Sequence, residues 1–395
     1  MDERAALHLA LAAVPGIGPV SAAQLMSAYG SIEALAEGRE PKSGWDSLPL
    51  DLIRRLDRAF LHESTETSRH DLRTAGWPRA LRAAIHAGLT QARAAVKAAR
   101  DLDLRIVCRE DEDYPISLLA DVAAPPSVLF ISGTLPDACR KSHYELASLA
   151  VVGARAASRY SLSFTRDMAA EVADAGIVVV SGLALGVDAA AHEGALETGT
   201  TVAVLGGGHG RLHPQSHSDL ARRIAESGGA VISEWPPDTN PQQGHFPWRN
   251  RIVSALSRAV AVIEATERSG ALSTVEHALA QGRHILVMPD RPDSQRSNGN
   301  LGLLRDGATP LMDASDVLAV FPDVVAAQPP KKPRLEHPIL ASLAGGGWHT
   351  AQVVATHTEL PVPKLLASLT ELELKGAIEM QDGRYRLVSS RRKRA

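Results

Sequence analysis

Beyond about residue 104 the chain alternates between two textures. Short apolar runs without polar interruption fall at 148–152, 177–181, 201–205, 230–233, 259–263 and 284–288. They are too short for helices and too continuous for strands with one wet face, so they predict strands buried on both sides. Mixed polar and apolar stretches at 161–175, 189–198, 218–227, 251–257 and 274–281 lie between them and predict helices. Strand and helix in turn imply a mostly parallel sheet covered on both faces, a doubly wound, Rossmann-like α/β domain. Two further apolar segments, 104–108 and 128–131, precede the series. A short amphipathic helix at 314–320 closes it.

The flanks differ. Residues 1–100 are rich in Ala, Leu and Arg and poor in β-branched residues, which predicts an all-helical domain. Within it, Pro15-Gly16-Ile17-Gly18 joins two helical patterns in the manner of a helix-hairpin-helix, whose amides grip a DNA phosphate. A tight packing turn accounts for it equally well, since no Lys or Arg lies between Val14 and Gly38. Arg93, Lys97 and Arg100 form a basic stripe at helical spacing, which a solvated helix face explains. On the other side, residues 326–333 contain prolines and lysines and suit a semi-extended linker. Residues 335–388 fit a winged helix, with helices at 338–344, 350–356 and 363–374. A hairpin turning at Asp382-Gly383 follows, between strands at 377–381 and 384–388. Its third helix sets Lys364 and Lys375 against Glu371 and Glu373, a balance suited to a protein contact. Arg391-Arg392-Lys393-Arg394 forms a terminal basic cluster. The expected division is a helical domain at 1–100, a Rossmann-like domain at 104–322 and a winged helix at 335–388.

Composition narrows the function. The formal net charge of −3 means that any nucleic-acid site is a local patch rather than a field of the whole protein. Cys108 and Cys139 offer neither metal-ligand spacing nor a disulfide framework, which suits a reducing compartment. The first residues are acidic and their apolar run is short, a poor match to a signal peptide. No 18-residue apolar run is present, so the expectation is a cytoplasmic protein with no membrane span, no metal and no cofactor.

Doubly wound sheets bind ligands beyond the carboxyl ends of their strands. Three loops there have suitable residues. The first runs through Gly153, Ala154 and Arg155 to Ser158, a helix cap. The second, Ser181 to Asp188, contains Gly182 and Gly186, which permit close backbone approach. The third, Glu267 to Gly270, precedes a helix expected to open near Ser273, whose unpaired amides would attract an anion. The dinucleotide spacing G-x-G-x-x-G is absent from all three, and Gly206 to Gly210 forms a fourth glycine loop. Upstream of the third loop, Phe246 with Arg249 and Arg251 supplies an aromatic ring and two charges within six residues. Binders of single-stranded nucleic acid combine these features, a stacking ring and an electropositive groove. The competing explanations are a core aromatic for Phe246 and structural ion pairs for the arginines, with Glu264 or Glu276 as partners. Asp188 fits a loop brace better than a phosphate ligand, because its charge repels phosphate. His192 fits an internal helix position.

VGARAASRYS, SGLALGVDAAAH, GHFPWRNRIVSALS, SGALSTVEHALAQGR and NGNLGLLRDGA together are similar to motifs of the DprA/Smf family of DNA-processing proteins, over roughly residues 105–310. The resemblance implies a homodimer with an extended Rossmann-like domain that binds single-stranded DNA. It implies transfer of that strand to a RecA-type recombinase during natural transformation, with a single-strand DNA-binding protein as a further partner. It implies no catalysis. The family's DNA pocket falls on Ser181, Gly182, Gly186, Phe246, Arg249, Asn250, Arg251, Ser269 and Gly270, with Arg155 and Ser158 from the first loop. The chain departs from the family at Ala154, where Ser is usual, and at Leu185, where Arg is frequent. It also departs at Asp290, where Gly is expected, and at Leu301, which takes the register of an Asn while Asn300 stands beside it. A second function class remains. SGALSTVEHALAQG parallels the Gly-Gly-x-Gly-Thr-x-x-Glu stretch of nucleoside-monophosphate phosphoribohydrolases, with Glu276 assisting glycosidic cleavage, although Ala271 and Ser273 break that signature. A nucleotide-sensing module without catalysis is the third.

Overall fold

The computed structural model describes residues 2–42, 48–60, 77–327, 338–343, 348–358, 360–374, 377–381 and 383–387. The chain divides into two compact units, Met1–Ala327 and Gln328–Ala395.

The first unit opens with helices α1 (Asp2–Ala12), α2 (Pro19–Tyr29), α3 (Ile32–Glu37), α4 (Leu50–Phe60) and α5 (Trp77–Asp101). Ala5, Ala6 and Ala10 of α1 are buried, and these small side chains let α1 lie close against α5. The basic stripe of α5 is consumed by acids. Arg93 pairs with Glu3 at 2.6 Å, Arg100 with Asp2, and Lys97 with Asp101 one turn on at 2.6 Å. The Pro15–Gly18 hairpin is a packed turn. Gly16 has φ +83°, and a Cβ there would come within 2.7 Å of the Ala59 Cβ on α4.

The α/β part follows: β1 (Arg105–Cys108), α6 (Ile116–Asp121), β2 (Val128–Gly133), β3 (Ser148–Val152), α7 (Arg159–Asp174), β4 (Val178–Ser181), α8 (Val187–Thr198), β5 (Thr201–Val204), α9 (Ser218–Glu226) and β6 (Ala230–Ser233). It continues with α10 (His245–Ala255), β7 (Ala259–Val262), α11 (Gly270–Ala280), β8 (His284–Val287), α12 (Asn298–Arg305), β9 (Thr309–Pro310), α13 (Ala314–Leu318) and α14 (Pro322–Ala327). Among the described residues nine strands form one sheet, ordered β1-β2-β6-β5-β4-β3-β7-β8-β9. Neighbours from β6 to β9 run parallel, while β1 and β2 add an antiparallel edge. Alternation along each strand sends successive side chains to opposite layers. Leu149 and Val151 of β3 pack with α7 and α8, whereas Ala150 and Val152 pack with α10 and α11. Both layers are dry, which is why the strands read as unbroken apolar runs. From β3 the chain adds β4, β5 and β6 on one side. It then crosses back through α10 and adds β7, β8 and β9 on the other. The junction of β3 and β7 is therefore the topological switch point.

The second unit contains α15 (Pro338–Leu343), β10 (His349–Thr350), α16 (Ala351–Thr358), α17 (Val362–Leu374), β11 (Ile378–Gln381) and β12 (Arg384–Leu387). Its sheet is ordered β10-β12-β11. Three helices and a β-hairpin around Ile339, Leu343, Val354, Leu365, Leu369, Leu372 and Ile378 make a winged helix. The short β10, which the apolar pattern does not signal, pairs with the hairpin through His349 and Thr350. Residues 326 and 327, expected in the linker, end α14; Lys375, Asp382, residues 328–333 of the expected linker and Arg391–Arg394 lie outside the described residues.

Candidate nucleic-acid interface

A cleft of ≈ 560 Å³ opens over the switch point. The loop after β3 contributes Arg155, the loop after β4 contributes Ala184, and the first turn of α8 contributes Asp188. The first turns of α10 contribute Phe246, Arg249 and Asn250, and the start of α11 contributes Ser269, Gly270 and Thr274. Helix α10 begins at His245, six residues before the start expected from the apolar pattern. Pro247 is its third residue, a position where the missing N–H costs nothing because no carbonyl awaits it. This registration puts Phe246, Asn250 and Arg249 toward the cleft and sends Trp248 and Arg251 elsewhere. Helix α11 starts at Gly270 rather than near Ser273. Ser269 is its N-cap, accepting from the Ala271 N–H at 3.2 Å. The Asn250 side-chain amide donates to Gly270 O at 3.3 Å and to Ser273 Oγ at 2.8 Å, tying α10 to the first turn of α11.

Phe246 is half-buried. One edge of its ring meets Gly206, where a Cβ would stand 2.8 Å from Cδ1. The Arg155 guanidinium lies 5.5 Å from the ring centroid, a cation–π approach. Arg155 is exposed and, among the described residues, forms no ion pair. It is thus an exposed cation over a half-buried ring. Two further arginines, neither of them among the expected site residues, stand at the same end of the sheet. Arg268 is exposed in the turn before Ser269. Arg296, in the loop after β8, donates to Ala156 O at 3.2 Å and stands 3.7 Å from Glu264. The position of Arg268 inside the third loop was a signal available in the sequence. The reach of Arg296 across the sheet edge was not.

Other expected site residues have internal employment. Arg249 is only 5 % exposed, and its Nη1 donates to Gly182 O at 2.7 Å and to Val204 O. It lies along the cleft floor and ties α10 to the ends of β4 and β5. Arg251 leaves the cleft altogether. It is 3 % exposed and forms a bidentate pair with Glu234, at 2.7 and 2.6 Å, rather than with Glu264 or Glu276. Ser181 is fully buried and donates to Val151 O at 2.6 Å. Gly182 is glycine because a Cβ would collide with the Arg249 guanidinium. Gly186, at φ +78°, packs against the carbonyls of Ala154 and Arg155. Ser158 caps α7, accepting from the Ser161 N–H at 3.1 Å, and its own N–H donates to Glu264 at 3.0 Å. The buried Glu264 carboxylate also accepts from Ser161 Oγ at 2.7 Å, so the start of α7 holds the chain's own anion.

Asp188 is the carboxylate lining the cleft, and it braces the second loop. It accepts from the Gly182 and Ala184 N–H groups at 3.1 and 3.3 Å. Burial pushes its pKa up, and the Arg249 charge and the two amides oppose that shift. Burial likewise lowers Arg249, against the pull of Asp188. His192 is buried in α8, with Nδ1 2.7 Å from Thr201 Oγ1. The Thr201 hydroxyl is already donated to Val179 O, so His192 Nδ1 is the donor. Glu276 is exposed on α11 and does not line the cleft.

Comparison with known proteins bears on the family of the chain. Residues 105–322 match the family described as DNA recombination-mediator protein A, and residues 325–384 match the DprA winged helix domain. Protein Smf of Escherichia coli is 36% identical over 294 residues, covering 71% of this chain and 76% of that protein. DNA processing protein DprA of Bacillus subtilis is 33% identical over 227 residues, covering 57% and 73%. The X-ray structure of DNA processing protein A from Streptococcus pneumoniae superposes with a TM-score of 0.54 at 31% identity, covering 65% of this chain and 87% of that one. With a family match over more than half of its length and relatives that it spans by three quarters, the chain belongs to the DNA recombination-mediator protein A family, the DprA/Smf proteins.

Proposed function

We propose that this protein binds single-stranded DNA across the cleft at the β3/β7 switch point and delivers it to a RecA-type recombinase during natural transformation. It acts as a cytoplasmic homodimer and without catalysis. The observation that carries the binding proposal is the exposed Arg155 guanidinium over the half-buried Phe246 ring, beside the start of α11. A base stacked on Phe246 would place its phosphate near Arg155, with Arg268 in the adjoining turn. The Asp188 carboxylate, which would otherwise repel phosphate, is held by two amides. No helix among the described residues is long and apolar enough to cross a membrane.

Anisotropy titration of a labelled oligothymidine tests the binding, with Phe246→Ala and Arg155→Ala as the informative variants. Full affinity in both, with the fold intact, would remove the cleft from the proposal. Delivery is tested by recombinase filament assembly on DNA coated with single-strand DNA-binding protein, with and without this chain. The hydrolase alternative rests on Glu276 as the catalytic carboxylate, and Glu276 stands outside the cleft, while the Asp188 carboxylate that lines it is held by two amides. Incubation with AMP or CMP is expected to release no free base.

A further inference from the structure

The loop after β4 has a backbone conformation that its sequence does not favour. Leu183 has φ +60°, in the left-handed region. Asp103 is the other non-glycine residue with positive φ among the described residues. Asp tolerates that region through its short polar side chain, and Leu does not. Glycine would remove the strain at position 183, but it would also remove a core side chain. Leu183 is fully buried, packed with Ala203, Leu205, Leu220 and Val231. Strain of this kind persists only where the surroundings over-determine the conformation, and it gathers at ligand sites.

Three side chains hold the loop here. Asp188 of α8 accepts from the Gly182 and Ala184 N–H groups at 3.1 and 3.3 Å. Arg249 of α10 donates to Gly182 O at 2.7 Å. His217, immediately before α9, takes the Leu183 carbonyl itself, with Nδ1 2.9 Å from the oxygen. A carbonyl only accepts, so His217 Nδ1 carries the proton. Asp188 and Arg249 line the cleft, whereas His217 lines neither the cleft nor the notch that continues it. That notch, ≈ 40 Å³, lies between Ala184 and Leu185 of the loop and Arg155, Pro214 and Phe246. The backbone at Leu183 therefore decides where the loop stands relative to the Phe246 ring.

We propose that His217 is a positioning residue for the DNA cleft, holding residues 183–185 against the Phe246 side of it through the hydrogen bond to Leu183 O. The inference rests on the reading of that cleft as the single-strand site. Without the Nδ1 donor the Leu183 carbonyl loses its partner and the left-handed backbone relaxes. Ala184 and Leu185 then withdraw from Arg155 and Phe246, and the place of a stacked base loses one wall. His217 itself touches no DNA, and its effect passes through Leu183. His217→Asn keeps the bond, because asparagine places an amide donor about where histidine places Nδ1.

Anisotropy titration of the full chain with a labelled oligothymidine at fixed salt tests the proposal, with Phe246→Ala as the reference for the cleft itself. His217→Leu is expected to weaken binding by roughly three- to tenfold, the share of one hydrogen bond. His217→Asn should bind within about twofold of the parent. Amide hydrogen exchange supplies a readout without DNA. In His217→Leu the Gly182 and Ala184 amides should exchange faster than in the parent, while those of β4 keep their protection. His217→Ala, which brings no added bulk to the loop, is the second variant and should repeat both effects even where His217→Leu lowers the urea midpoint. The proposal is overturned if the folded His217→Leu and His217→Ala proteins bind as the parent does while Phe246→Ala loses affinity. It is also overturned if His217→Asn binds as weakly as His217→Leu, or if affinity falls with no faster exchange at Gly182 and Ala184. If Phe246→Ala keeps full affinity, the cleft is not the DNA site, and the inference falls with that reading.

Discussion

Arg251 sits against Glu234 with 4 % of its side chain exposed, whereas Arg155 reaches into solvent beside Phe246. These two environments predict opposite behaviour. Replacing Arg251 with Ala strands the largely buried Glu234 carboxylate, and breaking a buried pair costs about 3–5 kcal/mol. The expected result is a large drop in the urea midpoint. Arg155→Ala should leave that midpoint unchanged and reduce the slope of log affinity against log salt by about 0.7, one single-strand phosphate contact. If the salt slope tracks Arg251 instead, the assignment of the two arginines is reversed. Phe246→Ala should weaken oligonucleotide binding by about 1–3 kcal/mol, read by anisotropy at fixed salt. An equal loss of folding stability would instead make the ring a core residue. Both outcomes for arginine were visible as possibilities in the sequence. Which arginine took which depended on the helical register, and on Glu234, which lies 17 residues away.

At the scale of elements, α8 makes folding stability depend on pH. His192 sits inside it, and burial pushes its pKa down from 6.5 to about 3, with the His217 and Arg249 charges adding to the effect. The unfolded chain therefore binds a proton that the folded chain refuses over that window. Stability from this group is full above about pH 6.5 and declines as pH falls toward about 3, by up to about 1.4 kcal/mol per pH unit. His192→Gln should flatten the slope of unfolding free energy against pH in this window, measured by urea titration at several pH values. Parallel slopes for parent and variant would place the acid sensitivity elsewhere. Element boundaries were legible where local signals were strong. Ser158 capped α7 as its hydroxyl suggested, and the expected strands fell within a residue or two of their predicted bounds, while the two-residue β9 and β10 carried no apolar signal. The starts of α10 and α11 were misplaced because Pro247 and Gly270 read as loop residues. Pro is well tolerated in a first helical turn, and Ser269 was an available cap.

At the scale of the molecule, the switch-point cleft lies wholly within Met1–Ala327, and the winged helix forms its own compact unit. A chain ending after Ala327 should therefore keep its oligonucleotide affinity to within about tenfold, or roughly 1.4 kcal/mol. A larger loss at matched salt, with the first unit folded, would place the main contact in the second unit. The net charge of −3 supports the same view, since the phosphate sites must be few and local.

Fold class and family were readable from the chain alone because both rest on local information. Strands buried on both faces need unbroken apolar runs, helices between them need mixed ones, and family motifs are contiguous strings. The glycines, too, could be identified as places of close approach. What approaches them could not. Gly182 yields to the Arg249 guanidinium, Gly186 to the carbonyls of the first loop and Gly206 to the Phe246 ring, each from a distant part of the chain. The tertiary structure decided which polar side chains were spent on one another and which were left for a ligand. Burial makes an unpaired charge or polar group costly, so Arg251, Ser181 and Glu264 found partners inside the fold. Arg155, left in solvent, did not have to.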